Sequence, residues 1–393
     1  MSRIDPKTAA QTHLLESRDQ LIGMSHRIHA NPELGFEEER ASAWLVDALD
    51  AAGMSVQHGV FDLPTAFMAT AGSGPLRVAI CCEYDALPGV GHACGHNMIA
   101  AMSFGAGLAL AQLADDVGLT VTVIGTPAEE VGNAGGKILL LERGAFAGMH
   151  AAMMVHPTGS ADDAPAPSYI AASRFEVRYR GKAAHASSHP EQGINAADAL
   201  VVAQTAIGLL RQHIRPMDRI HGIVTKGGDA PNIVPAETSA SYIVRAETVD
   251  QLAEIQARVR QCFEAGALAT GATLEMDGGD RPYAQMKPDQ EIATLYQRNA
   301  EALGRRFARA GEPQQGMAST DMGNVSLALP SIHPRMGINS HPATNHQPEF
   351  AAFCVTEVAD RALIDGATAM AWTAIDIATD PGVRDRLLQT GRR

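Results

Sequence analysis

Cysteine is scarce in this chain, with five among 393 residues, at Cys81, Cys82, Cys94, Cys262 and Cys354. A set that is odd, sparse and scattered argues against a disulfide framework and for a reducing compartment, so a cytoplasmic location is expected. A long apolar run is missing too. The longest uncharged stretch, 98–114, is interrupted by Ser103, Gly105, Gly107 and Gln112, and it falls short of the about 20 apolar residues that span a bilayer. It reads as a buried helix. From Met1 to Leu15 there is no apolar segment of the kind a secretory signal needs, so the mature chain is expected to begin there. Positive charge is in deficit: 31 Lys and Arg against 44 Asp and Glu leave a net charge of −13. Repulsion from phosphate backbones and anionic lipid makes nucleic acid and membranes poor candidates as partners.

What is present is ordinary globular usage, 46% hydrophobic and 19% charged, in a chain long enough for two or three units. Ala41, Trp44, Leu45, Ala48, Leu49 and Ala52 repeat at helical spacing, and Gly53 stands where that helix would end. Short apolar runs follow at Val78 to Cys82, Val121 to Gly125 and Ala151 to Val155. Such runs, apolar on both faces and separated by helical stretches, predict an α/β fold with a mostly parallel sheet covered by helices.

The middle of the chain differs. From Ser173 to Gly181 apolar and charged residues alternate, as in a half-exposed strand, and Asn195 then caps a helix predicted from Ala196 to Leu210. Strand-like runs at Arg219 to Thr225 and Ser239 to Ala246 precede a helix opened by Thr248 and Gln251 and closed by Gly266; a last strand is read at Thr270 to Met276. The order β, α, β, β, α, β is that of a ferredoxin-like α+β unit. The chain is therefore divided into a first domain, 1–171 and 284–393, and a second, 172–283, inserted into it. The helical pattern of the first domain resumes from Glu291 to Leu303.

Polar residues fall in a telling place relative to the buried strands. Glu83 and Asp85 follow the first apolar run, Glu129 and Glu130 the second, and His156 the third. Open α/β sheets form their sites at the carboxyl ends of strands, so these groups would meet in one crevice. Cys94 and His96 join them, two apart on a glycine-containing loop ahead of the buried helix. Thiolate, imidazole and carboxylate are together ligands for a borderline divalent ion such as zinc, with manganese, cobalt and nickel also open. Consecutive acids usually mark a solvated turn, but Glu129 and Glu130 stand behind a buried-type strand. There one can bind metal while the other takes a proton from water. Two other readings stay open: Cys94 with a nearby histidine as a thiol nucleophile, and a catalytically inactive dimer that binds an amide.

The segment EYDALPGVGHACGHN (83–97), the Glu129-Glu130 pair, His156-Pro157 and the lid-like GKAAHASSHPEQGINA (181–196) together resemble the aminoacylase and carboxypeptidase G family of co-catalytic metallopeptidases. The cysteine-glycine-histidine signature and the opening HANPELGF (29–36) are similar to its amidohydrolase subfamily, which includes hippuricases, indole-acetyl-amino-acid hydrolases and aminobenzoyl-glutamate hydrolases. The resemblance runs from about residue 26 to 350 and implies a zinc-peptidase-like catalytic domain with an inserted lid and dimerisation domain. It implies that Cys94 bridges two divalent ions, zinc or manganese with cobalt or nickel as alternatives. His96 and His156 would complete one site, and Glu130 with a late histidine the other. Of His341 and His346, only His346 is followed by the expected proline and aromatic, in Gln347-Pro348-Glu349-Phe350, so His346 is taken as the ligand. His333 is read as structural. Glu129 would be the general base, and Asp85 would orient an imidazole ligand.

From the inserted domain, His185 resembles a residue that reaches across a dimer interface to polarise the scissile carbonyl. Asn232 resembles a substrate-contacting amide, and Arg245 a guanidinium that pairs with a substrate α-carboxylate. The segment from Ser319 to Asn324 is expected in the pocket wall. The implied activity is hydrolysis of N-acyl amino acids, aminobenzoyl-glutamate-like amides or dipeptides. The exposed edge of the inserted sheet is expected to join two chains into a homodimer.

Overall fold

The apolar runs become strands of a sheet that is buried through its centre. The computed structural model describes residues 5–308 and 318–390. Of the stretch from Met1 to Leu15, residues 1–4 lie outside the described residues, and a helix, Pro6–Glu16, follows them. The first strands are β1 (Ser55–His58), β2 (Phe67–Ala71), β3 (Leu76–Cys82), β4 (Leu119–Gly125), β5 (Ala151–Met153) and β6 (His156–Thr158). Then come β7 (Ala171–Arg180), β8 (Arg219–Lys226), β9 (Glu237–Ala246), β10 (Thr273–Gly278), β11 (Ser331–Ile332) and β12 (Arg335–Gly337).

Six of them form one sheet in the order β1-β2-β4-β3-β5-β11. The pairs β4-β3, β3-β5 and β5-β11 are parallel, and β1 and β2 add an antiparallel edge. Every residue of β4 is buried, as is every residue of β3 but Arg77, which matches strands covered on both faces. One cover is the helix His96–Ala111, buried from His96 to Leu110 between the sheet and the helix Glu357–Thr379. It begins two residues before the apolar run and so carries His96 on its first turn. Among the described residues, no helix is long and apolar enough to cross a membrane.

Between these elements a second, antiparallel sheet forms in the order β10-β7-β9-β8. Burial alternates along β7 and β9, and the buried side packs on the helices Ala196–Leu210 and Val249–Thr270 around Phe175, Tyr242 and Phe263. Asn195 accepts from Ala197 N at 2.9 Å, and Thr248 accepts from Gln251 N at 3.3 Å, so both helices open where capping chemistry predicts. Gly266 does not end the second helix. A Cβ there would lie 2.3 Å from Ala199 O, so this glycine lets the two helices approach closely. The helix runs on to Thr270 and stops at Gly271 (φ +77°), which moves the last strand to Thr273–Gly278. The chain enters and leaves this sheet side by side, with Ala172 and Tyr283 exchanging backbone hydrogen bonds of 3.0 and 2.8 Å. Its outer edge, β8, leaves Ile223 and Val224 exposed.

Candidate metal centre

Because β3, β4 and β5 run parallel, the residues after each emerge at the same edge of the sheet. Glu83 to Asp85 leave β3, Glu129 and Glu130 form a short turn after β4, and His156 follows β5. The turn is held by a residue from far upstream: buried Glu38 accepts from Ala128 N at 2.8 Å, where Ala128 takes a left-handed φ of +59°. Cys94 and His96 flank Gly95, also left-handed (φ +80°). A Cβ at Gly95 would sit 2.5 Å from Pro157, so only glycine lets this loop press against the strand carrying His156.

The donors converge. Cys94 Sγ lies 3.5 Å from His156 Nε2 and 3.6 Å from His346 Nε2, and His346 Nε2 lies 3.4 Å from Glu130 Oε1. Two three-donor groups, Cys94/His96/His156 and Cys94/Glu130/His346, each hold their ligand atoms within 4.8 Å of one another and share the thiol. His96, Glu129 and Glu130 form a further group on the same criterion. Both His96 and His156 are turned by their other ring nitrogen: Nδ1 of His96 meets Asp85 Oδ1 at 2.9 Å, and Nδ1 of His156 meets Pro157 O at 2.8 Å. Asp85 also accepts from Glu130 N at 2.9 Å, so one buried carboxylate orients two of the donors.

These residues fit a divalent metal on their own terms. His96 Nε2 and Glu130 Oε1 are buried with no hydrogen-bond partner, a costly arrangement unless a cation takes them up. Burial, reinforced by Glu130, pushes the Cys94 thiol well above its ordinary pKa. That is the reverse of what a nucleophilic thiol needs. Burial works against charge on His96, but Asp85 outweighs it and raises the pKa. Burial lowers His156 to about 4 and keeps it neutral, as a ligand must be. Burial first, then Glu83 and Glu130, push Glu129 well above the carboxylate range, the direction a proton acceptor requires.

A cavity of about 970 Å³ opens on this cluster, large enough for a dipeptide. Glu129, Glu130, Cys94 and His156 line its floor, and Arg245 reaches it from the end of β9, donating to Ser319 Oγ at 2.8 Å. Ser319 and Thr320 are in the wall, while Asp321 turns away from it to accept from Lys137. His341 lies on the cavity rim, and His346, not His341, faces Cys94. His333 also lines the cavity, buried and stacked on Tyr169 at 4.8 Å, with both ring nitrogens lacking a hydrogen-bond partner. Neither Tyr169 nor Tyr283 carried a local signal, because each enters the wall only through tertiary packing.

His185 and Asn232 are not in the cavity. Both are exposed, on adjacent loops joined by an Ala186 N to Asn232 O hydrogen bond of 3.0 Å. Those loops leave the Arg180/Glu237 end of the paired strands, whereas Arg245 pairs with Ala172 at the other end. At about 3.3 Å per residue, the strands between them separate these loops from Arg245 by about 25 Å.

Comparison with known proteins identifies the family. The model of peptidase family M20/M25/M40 matches residues 80–370. Xaa-Arg dipeptidase of Mus musculus is 38% identical over 96% of this chain and 90% of its own length. One of the p-aminobenzoyl-glutamate hydrolase polypeptides of Escherichia coli is 32% identical over 66% of this chain and 57% of its own. A Bacillus subtilis structure described as a dinuclear metal-binding peptidase of family M20 shares the fold at TM-score 0.64, with 23% identity over 92% of this chain and 98% of that one. This chain belongs to peptidase family M20/M25/M40 and is a metallo-amidohydrolase.

Proposed function

We propose that this enzyme cleaves the amide bond of a dipeptide or N-acyl amino acid whose leaving side bears a free carboxylate. The observation that supports it most is the pair of three-donor groups sharing Cys94 beneath a cavity that Arg245 enters. Cys94, His96 and His156 would hold one divalent ion, and Cys94, Glu130 and His346 the other. The mixed thiol, imidazole and carboxylate donors favour zinc or manganese and accept cobalt or nickel. When bound, such a pair acidifies water toward neutral pKa and polarises a carbonyl.

The chain's own residues do the rest. Glu129 takes the proton of the attacking water and passes it to the leaving amine. Arg245 pairs with the leaving-side carboxylate, and Asp85 keeps His96 and Glu130 aimed. The similarity to Xaa-Arg dipeptidase and aminobenzoyl-glutamate hydrolase favours dipeptides, basic ones first, ahead of aminobenzoyl-glutamate and simple N-acyl amino acids. Turnover of a panel of all three with manganese, zinc or cobalt supplied separately tests this. Cleavage is expected only of compounds with a free leaving-side carboxylate, and equal cleavage of their carboxamides would refute the Arg245 pairing.

His185 and Asn232 lie too far from Arg245 to serve their own chain's cavity, which supports a homodimer formed through the β8 edge, where His185 serves the neighbour. Complementation checks it. His185→Ala and Glu129→Gln are each expected to be inactive alone. Co-expressed, they should recover about a quarter of wild-type activity, because half of the random dimers carry one intact site. Recovery of nothing from verified mixed dimers would mean that His185 acts on no neighbouring site.

A further inference from the structure

One buried charge in this region has no part in the chemistry above. Lys137 is fully buried on the first turn of the helix Gly136–Glu142, where the loop carrying Glu129 and Glu130 ends. An ammonium in such a place must be paired. Its Nζ donates to Glu83 Oε1 and to Asp321 Oδ1, the latter at 2.6 Å, and its backbone N–H donates to Asp321 Oδ2 at 2.9 Å. Glu83 follows β3 and Asp321 precedes the helix Met322–Ala328, so one side chain ties together three elements around the base-bearing loop.

Glu129 belongs to the same cluster. Oxygens of Glu83, Glu129 and Asp321 lie within 4.8 Å of one another, all buried. Three carboxylates there face one ammonium, which occupies hydrogen-bonding positions on two of them. Tyr283 fixes the loop's backbone: its hydroxyl donates to Glu129 O and accepts from Gly132 N at 3.1 Å. Neither bond holds the Glu129 carboxylate itself. Were Lys137 uncharged, two buried carboxylates would push that group away from them, and a displacement of about 1 Å is enough to cost about a hundredfold in rate.

We propose that Lys137 is a positioning residue for the proton-transfer step: its ammonium, pinned between Glu83 and Asp321, keeps the Glu129 carboxylate at its place against the cavity. The proposal rests on Glu129 as the base and adds the group that holds it there. Arg245, Cys94, His96, His156, Glu130 and His346 make no contact with Lys137 among the described interactions, and Glu83 meets them only at His96 Nε2, 3.5 Å from its Oε2, so substrate binding and metal content are expected to be spared.

Lys137→Met, purified and metal-loaded, is expected to lose about a hundredfold in kcat with KM within about threefold of wild type and unchanged metal per chain. Adding Glu83→Gln to Lys137→Met removes one of the uncompensated carboxylates and is expected to raise kcat about tenfold over Lys137→Met alone. A merely structural lysine would not produce that rescue. Wild-type kcat in Lys137→Met, activity lost only in step with metal, or no rescue by Glu83→Gln would each overturn the proposal. If Lys137→Met does not fold, the double variant is measured directly: kcat within about tenfold of wild type supports the proposal, and kcat as low as that of Glu129→Gln overturns it. Failure of both variants to fold also overturns it, since the network would then hold the fold and not the base. Glu129→Gln in the same assay separates the two readings. Full activity there removes the base itself, whereas an inactive Glu129→Gln beside a fully active Lys137→Met removes only the role of Lys137.

Discussion

Glu129→Gln leaves a folded, metal-replete protein that turns substrate over about a thousandfold more slowly or not at all. Glutamine keeps the size and shape of the side chain, and the turn that presents it is held through backbone atoms: Ala128 N by Glu38 and Glu129 O by Tyr283. What disappears is the ability to accept a proton. General-base catalysis is worth about 10² to 10⁴ in rate, or about 3 to 5 kcal/mol of transition-state stabilisation. The two glutamates are told apart by their neighbours. Both line the cavity, but Glu130 faces His346 at 3.4 Å, in a group with Cys94, whereas Glu129 lies beside Glu83 and Asp321. Metal content and KM are expected to hold while kcat collapses. Normal kcat in the metal-loaded variant would show that another group takes the proton.

Removing the metal abolishes activity and lowers thermal stability together. Chelation leaves His96 Nε2 and Glu130 Oε1 buried without hydrogen-bond partners and Cys94 flanked by two imidazoles at 3.5 and 3.6 Å. A ligand that binds only the native state stabilises it by about 4 kcal/mol at a thousandfold excess over its Kd, so the apoprotein should melt several degrees lower. After dialysis against a chelator, elemental analysis, an activity assay and a melting curve measure metal content, turnover and Tm. Activity and Tm should return when manganese, zinc or cobalt is restored. Undiminished turnover by protein shown to hold no transition ion would refute the metal centre, and its loss to iodoacetamide would then favour Cys94 as a nucleophile.

Much of this molecule is legible along the chain. The apolar runs at 78–82, 121–125 and 151–155 mark three adjacent strands of the sheet, because a strand covered on both faces needs apolar side chains on both. The caps at Asn195 and Thr248 open their helices as read, since a cap depends on residues within one turn. Gly266 misled because a glycine required for helix–helix contact looks, in sequence, like one that ends a helix. The surroundings of His333 and Lys137 are not legible for a related reason. A lone histidine after a strand, or a lysine in an otherwise apolar helix, does not announce that it lines a cavity or that two distant carboxylates meet it.

The sequence by itself determined the donor chemistry and its address: thiol, imidazole and carboxylate residues placed directly after buried strands, where parallel β topology delivers them to one edge. That information is local, carried by residue type and by hydrophobic pattern over a few positions. Only the tertiary structure decided that Lys137 bridges Glu83 and Asp321, and that His185 stands a strand's length from its own cavity. Each of those depends on distances between segments tens to hundreds of residues apart. Such distances are set by sheet register and by the packing of whole elements, which no short window of sequence contains.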